Sequence, residues 1–506
     1  MRILSYLFVG FLLILVSSCR NDFYFEPSTG NLEFSRDTVY LDTVFSNIGS
    51  STYTLKVYNR SSKDIKIPSI RLGEGENSKY RLMVDGLPGK VFDNIELLAK
   101  DSMFVFIETT INYDDYANSD TDFLYTDKIE FDAGNHYQKV ELVTLVQDAF
   151  FLYPKRDENG VYEGLPVEGS DEAIYGFVLD ENDPINGNEL LWTNQKPYVI
   201  YGYAAVPNGK TLEVQEGTKV HFHDGSGIIV TQNASLQVHG TLENPVVFEA
   251  DRLEPFFAEV PGQWGAIWLT SGSVNNVISH AIIKNAVIGL YVQNSPIDLD
   301  NVQIYNCSNF GIMAQTGVIS GFNVVVNNAG QSALACTIGG TYNFVHSTIA
   351  NYWNRSYRSL ATVVLDNTYE TTSGTLPLTA SFENCIIYGA NSIELNLNKA
   401  ENSIFNYQFT NTLIKFIDSN NRYKNDLLYD FDNASLYLNS IIAKTFNDHK
   451  VDFVNTSKND LRITEISAAK ASANANYSWS TDVLGNSRSG ATQDMGAYNF
   501  VIIPEE

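Results

Sequence analysis

Side chains that could carry chemistry are scattered along this chain, and their spacing decides what each can do. "HFH" places His221 and His223 on one face of a strand, where two imidazoles can chelate a transition metal, but no third ligand lies nearby in sequence. "IDLDN" sets Asp298 and Asp300 on one strand face. Inverting glycoside hydrolysis needs two carboxyl groups roughly 6.5–9.5 Å apart, whereas paired acids on an exposed strand are ordinarily a solvated edge. Trp264 and Trp268 in "GQWGAIWL" lie four apart and so share a strand face, as core packing or as a sugar-stacking pair. "DENDPINGNE" (180–189) is rich in oxygen ligands like a calcium loop but lacks that loop's spacing, so a solvated turn is preferred and calcium is the only cofactor suggested. There is no phosphate-cradling glycine loop and no serine or cysteine nucleophile in a recognised frame. Cys307, Cys336 and Cys385 match no close metal pair and read as small apolar core residues. No catalytic and no metal-binding residue is assigned.

The elements that must position these groups announce themselves by repetition. "HAIIKN" (280–285) returns as "NVQIYN" (301–306), "NVVVNN" (323–328) and "HSTIAN" (346–351). Aligning His280, Asn301, Asn323, His346, Asn384, Asn411 and Asn439 gives intervals of 21, 22, 23, 38, 27 and 28 residues. One position on lies a small or short side chain, and three positions on always Ile or Val. Asn285, Asn306, Asn328 and Asn351 follow at the fifth position, with Gly389 in the next copy. Periods in the twenties mark a solenoid, and inward alternation at the first and third positions demands short strands, hence a β-solenoid. Asn and Gly after each strand suit a tight bend needing a left-handed residue, and stacked Asn side chains can form an amide ladder. The second position (Ile282, Gln303, Val325, Thr348, Ile386, Leu413, Ile441) faces outward yet is mostly apolar. Such a stripe needs a cover, for which the N-terminal part of the chain or the excursion at 354–378 is available.

Upstream, "TVYLDTVF" (38–45), "STYTLKVYN" (51–59), "IKIPSIRL" (65–72), "DSMFVFIETTI" (101–111) and "YQKVELVTLVQ" (137–147) alternate with period two and read as a β-sandwich over 31–148. Residues 149–195 have no sustained period and read as a connecting segment. The N-terminus is "MR", an apolar run at 3–16, then "SSCR". That run has the form of a secretory h-region and is short for a membrane span. The net charge of −26 carries no basic cluster, which disfavours nucleic acid and anionic membrane surfaces as electrostatic partners.

Three resemblances follow. Val16-Ser-Ser-Cys19 resembles a bacterial lipobox, implying a signal peptide at 1–18, lipid on Cys19, and a tether at 19–30. The 38–147 strands are similar to bacterial immunoglobulin-like modules. The repeats, with "GKTLEVQEGTKVHFHDGSGIIVTQNASLQVHGTLENPVVFEA" (209–250) and the closing "DMGAY", resemble the right-handed parallel β-helix, pectin-lyase-like proteins, over about 196–500. The fold expected is therefore all-β: an N-terminal sandwich followed by a right-handed parallel β-helix. Lyases of that kind imply a Lys or Arg base with acidic calcium ligands on adjacent coils, but Arg252, Lys284, Arg355, Arg358, Lys415 and Arg422 form no such column in the sequence. The Asn-Thr-Asp, Asp-Asp and Gly-His-Gly signatures of polygalacturonase-like enzymes are absent from the helix region. The expectation is a lipid-anchored outer-membrane lipoprotein, periplasmic-facing or surface-exposed, that binds a glycan or an envelope protein without catalysis. The alternative is a polysaccharide lyase or glycoside hydrolase working in a groove. Two excursions, 251–263 and 354–378, are where specificity is expected.

Overall fold

The computed structural model describes residues 24–116, 122–132, 134–166, 172–368, 376–477, 479–488 and 492–503. Cys19 and residues 1–18, read above as a signal peptide, lie outside them, as does part of the second excursion. The chain divides into two compact units, Met1–Asp148 and Ala149–Glu506.

In the first unit the period-two stretches become the strands Thr38–Phe45, Tyr53–Tyr58, Ile65–Leu72, Ser102–Thr109 and Gln138–Gln147. They fall into a six-stranded and a five-stranded sheet. Alternate residues from both sheets (Val39, Leu55, Ile67, Leu82, Val105, Ile129 and Leu142 among them) form one buried cluster, the core of a β-sandwich.

The second unit is a parallel β-helix. Each coil contributes one strand to a ten-stranded sheet, parallel except for its first pair, and two to a sheet of nineteen strands. Those two faces merge because some strands run through the corner between them, as Asn276–Lys284 and Pro296–Cys307 do. The corner residue is the aligned repeat start. His280, Asn301, Asn323, His346, Asn384, Asn411 and Asn439 all have φ between 46° and 55°. Asparagine tolerates this left-handed conformation better than most residues, which accounts for the column's composition. The expected bend after the strand is left-handed at Asn285, Asn306 and Asn328.

Inward, the first and third positions stack as one continuous core: Ala281 and Ile283, Val302 and Ile304, Val324 and Val326, Cys385 and Ile387. Cys307, Cys336 and Cys385 are buried free thiols in that core, and burial pushes the Cys307 and Cys385 thiols up to about 12. A ladder of rings, Phe344–Phe382–Phe409–Tyr437, runs along the interior with centroids 5.1–5.5 Å apart. Phe416, Tyr423, Tyr429 and Phe431 close the last coils in a cluster of ring contacts.

Two features depart from the sequence reading. Residues 149–195 are not merely a connection: Phe150–Leu152 pairs with Tyr198–Ile200, and Ala173–Val178 with Tyr203–Val206, so the segment builds the first coil. The outward apolar stripe is covered by the chain's own C-terminal segment. Val325 lies with Leu461, Val483, Ala497 and Tyr498, while Ile386 and Leu413 lie with Val451, Ile463, Ala469 and Met495. That segment also hydrogen-bonds the corner column. Asn323 Nδ2 donates to Thr481 O, Asn384 Nδ2 to Asn474 O and Asn411 Nδ2 to Ser472 O, at 3.0–3.1 Å.

Candidate functional site

The C-terminal cover stops short of the first two positions of the stripe, and where it stops a cleft opens. Its floor is the outer face of the second-face strands. Gln303 and Tyr305 project there from Pro296–Cys307, and Lys284 stacks one coil before Tyr305 because their strands pair in parallel register. The far wall is the C-terminal run Lys458, Asn459, Asp460 and Arg462 with Tyr498, enclosing about 390 Å³. A second cavity of about 460 Å³ adjoins it through the shared Glu259, lined by Asn306, Asn328, Trp353, Arg355 and Thr456.

The two excursions meet here. Arg355 Nη2 donates to Glu259 O at 2.7 Å, joining 251–263 to 354–378 across nearly a hundred residues of sequence. The two loops at which specificity was expected are thus brought side by side at the cleft.

Below them runs an amide ladder. Asn306 Nδ2 reaches Asn285 Oδ1 at 3.5 Å and Asn328 Nδ2 reaches Asn306 Oδ1 at 3.3 Å. Asn459 of the C-terminal segment accepts from Asn327 and Asn328 at 2.9 and 2.8 Å and donates to Asn306 at 3.2 Å. Asn306 also donates to the Glu259 carboxylate. Trp353 stands at the edge of this polar floor, its Nε1 held by Ser356 Oγ at 2.9 Å. The combination is an aromatic wall above fixed amides, ringed by Lys284, Arg355, Lys458 and Arg462 and by Glu259 and Asp460. Such a site offers hydroxyl-rich ligands directional hydrogen bonds and a hydrophobic surface.

Three of these cations have partners: Arg355 on the Glu259 carbonyl, Lys284 on Glu249 and Arg462 on Asp460. Lys284 Nζ lies 2.8 Å from Glu249 on the preceding coil, one ion pair between adjacent coils and not a column, since the next coil places Tyr305 there. Arg462 grips Asp460 with both Nε and Nη2, at 2.8 and 2.6 Å, which lowers the Asp460 carboxyl below its usual range. Burial raises the Tyr305 phenol well above its ordinary value and the Tyr498 phenol to about 12, so both hydroxyls stay protonated and act as hydrogen-bonding groups.

Other residues singled out by sequence lie elsewhere. Arg358 forms a fully buried pair with Glu394, at 2.9 and 2.7 Å, pinning the second excursion to the coils. Lys415 Nζ donates to Gly389 O at 2.7 Å over the Tyr388 ring. Arg252 stacks on Phe257, and Arg422 lies over Tyr423. Asp298 and Asp300 do share an outward face, but the residues stacked on them are Val277, Ser279, Ser320 and Phe322, not further acids.

His221 and His223 do not act together. His221 is buried, with Nδ1 3.1 Å from Ala250 O, and desolvation lowers its pKa; His223 is more exposed and contacts Asp251 at 2.7 Å. Among the described residues no three His, Cys, Asp or Glu side chains group as a metal site. In 180–189 the carboxylates lock turns instead. Asp183 accepts from Ile185 N and Asn186 N and pairs with Lys155, the largest of the effects that hold it down at about 2.

Trp264 and Trp268 do not share a face. The inward set shifts by one at Ala266/Ile267, where the pairing is irregular, so Trp264 is buried against Phe222 and Trp268 lies on the outer surface against Tyr291. Trp353 and the Asn459 docking were missed by the sequence reading. The Asn column was visible, but nothing local connects residue 459 to residue 306.

A family model described as a pectate-lyase-like β-helix domain matches residues 185–286, a span that includes the leading coils and Glu259 and Lys284 of the cleft lining. No curated protein matches the chain. Among solved structures, PapD-like domain 7 of human CEP192 aligns at 14% identity over 26% of this chain and 94% of that one, with TM-score 0.16. The periplasmic chaperone SfaE aligns at 12% over 29% and 90%, with TM-score 0.16. A family 123 glycoside hydrolase from Clostridium perfringens aligns at 11% over 23% and 26%, with TM-score 0.15. At such scores none of the three bears on function.

Proposed function

We propose that this chain is a lipid-anchored protein of the bacterial cell envelope whose β-helix captures a glycan in the cleft between the two excursions and the C-terminal segment, without turning it over. The lipobox-like Val16–Cys19 supports the anchor, and the pectate-lyase-like match at 185–286 is compatible with a carbohydrate ligand. The observation that carries the binding reading is the floor: the Asn306 and Asn328 amides, held in one hydrogen-bonded ladder with Asn459 and backed by buried Asn285, beside Trp353. Fixed donors and acceptors need no reorganisation when a hydroxyl-rich ligand arrives.

A lyase or hydrolase in the same cleft is the second reading, favoured by the approach of Lys284, Tyr305 and Arg462. Against it, Lys284 is committed to Glu249 and burial keeps both tyrosine hydroxyls protonated, so none of these three is poised as a general base.

The test is residues 19–506 screened against acidic and neutral polysaccharides, with and without calcium. Binding is scored together with reducing ends and unsaturated-uronate absorbance. Trp353→Ala is expected to weaken binding roughly tenfold, a loss of about 1.4 kcal/mol. Product formation by the parent protein replaces the binder with the enzyme reading. Acylation is checked separately by the mass of the N-terminal peptide, where an unmodified Cys19 removes the anchor.

A further inference from the structure

A sandwich sheet facing water ordinarily alternates apolar-in and polar-out. The five-stranded sheet of the first unit breaks that rule on its outer face. Thr54 stands opposite Phe106, Phe106 opposite Met83, and Met83 opposite Pro88; one step along, Lys56 stands opposite Phe104. Phe104 is 49% exposed, Phe106 37% and Met83 42%. The two Phe rings stack at 6.2 Å, and Lys56 lies over both Phe104 and Tyr58. The companion sheet exposes Tyr40 and Leu124 singly, among the ion pairs Lys66–Glu96, Arg71–Glu130, Lys128–Glu130 and Lys139–Glu141, and carries no stacked pair of exposed rings among the described contacts.

We propose that this aromatic face of the N-terminal sandwich rests on the lipid bilayer to which Cys19 is anchored, and so sets the orientation of the sandwich against the membrane. The idea rests on the anchor reading above. Three observations select a bilayer as occupant. First, only four residues lie between Cys19 and Tyr24, a reach of at most about 18 Å when fully extended, so an anchored sandwich stays at the membrane surface. Second, the charges on this face cancel internally: Arg60 pairs with Glu33 and Arg81 with Glu108, while Lys56 lies among rings. On a chain of net charge −26, this face escapes repulsion from a membrane surface. Third, a few large side chains are too small a patch for a stable protein interface, which buries about 800 Å² per partner. They suffice for a protein already held by a lipid, because the acyl chains supply the affinity and the rings supply only orientation.

The experiment exploits two accidents of the sequence. All five tryptophans lie in the second unit, so Phe106→Trp adds the first one to the sandwich. Cys307, Cys336 and Cys385 are buried, so Cys19 of residues 19–506 is the thiol open to coupling. Parent and F106W proteins are coupled through Cys19 to maleimide-bearing vesicles of phosphatidylethanolamine and phosphatidylglycerol whose acyl chains carry bromine. The F106W increment of emission is expected to shift blue and to fall roughly twofold relative to unbrominated vesicles, as for a ring in the bilayer interface. Quenching no greater than in the parent protein overturns the proposal. So does a concentration-dependent dimer in vesicle-free solution that F106S abolishes, since that would make the face an interface between copies. Because the coupling is chemical, the outcome does not depend on whether Cys19 is acylated in the cell, so failure of docking and failure of the anchor are told apart.

Discussion

His346 shows what one corner residue can carry. It occupies the left-handed position that asparagine fills in five of the seven aligned coils, and its Nε2 accepts from Asn384 Nδ2 at 3.0 Å. Burial, with the nearby Arg488 charge second, lowers its pKa to about 3. The folded pKa lies below the unfolded value near 6.5, so the unfolded chain binds the proton first. Stability is therefore full above pH 6.5 and falls as pH drops toward 3, by about 2 kcal/mol between pH 6.5 and 5. Urea midpoints measured across that window should show the slope, and His346→Asn, which keeps both the backbone conformation and the hydrogen bonding, should flatten it. An unchanged slope in the variant would move the titration to another group. This residue was half legible in sequence. Its membership of the column was plain, but its burial and the added push of Arg488 come from the C-terminal segment at the far end of the chain.

At the scale of elements, the closing "DMGAY" loop is the clearest case of a local phrase with a distant cause. Gly496 has φ +89°, and a Cβ there would sit 2.6 Å from Ile386 Cδ1 and Thr348 Oγ1 on two coils of the helix. Its neighbours complete the docking: Gly496 N donates to Asn384 O at 2.7 Å and Ala497 N to Thr348 Oγ1 at 2.9 Å. Gly496→Ala adds a left-handed penalty to an overpacked contact, together about 2–5 kcal/mol. Hydrogen exchange should show the Ala497 and Asn474 amides losing protection by that amount while coil amides such as Ile304 keep theirs. Equal loss in both would mean that the segment and the coils unfold as one. Trp264 and Trp268 teach the converse lesson. Period-two reasoning put them on one face, and a single irregularity at Ala266/Ile267 separated them. The strands and their inward columns were legible because burial repeats every coil; a bulge, which occurs once, leaves no periodic trace.

At the scale of the β-helix unit, the apolar stripe and the cleft are two consequences of one event, the return of the C-terminal segment along the coils. The stripe was legible as an anomaly, but its cover was assigned to the wrong part of the chain, because alternation within a strand cannot say which distant segment packs outside it. Val325, Ile386 and Leu413 are fully buried beneath that segment, each worth about 1.5–3 kcal/mol of transfer free energy. A chain ending at Lys444 should keep its coils, since their inner core is separate from this outer layer. It should nevertheless associate through the uncovered stripe, seen as concentration-dependent growth in light scattering that Val325→Thr and Ile386→Thr together suppress. The same truncation removes Asn459, Arg462 and Tyr498, one wall of the cleft, so any glycan bound by the parent should be lost even from the suppressed, monomeric variant. If that variant still binds with parental affinity, the ligand lies on the two excursions alone, and the C-terminal segment is a cover with no part in recognition.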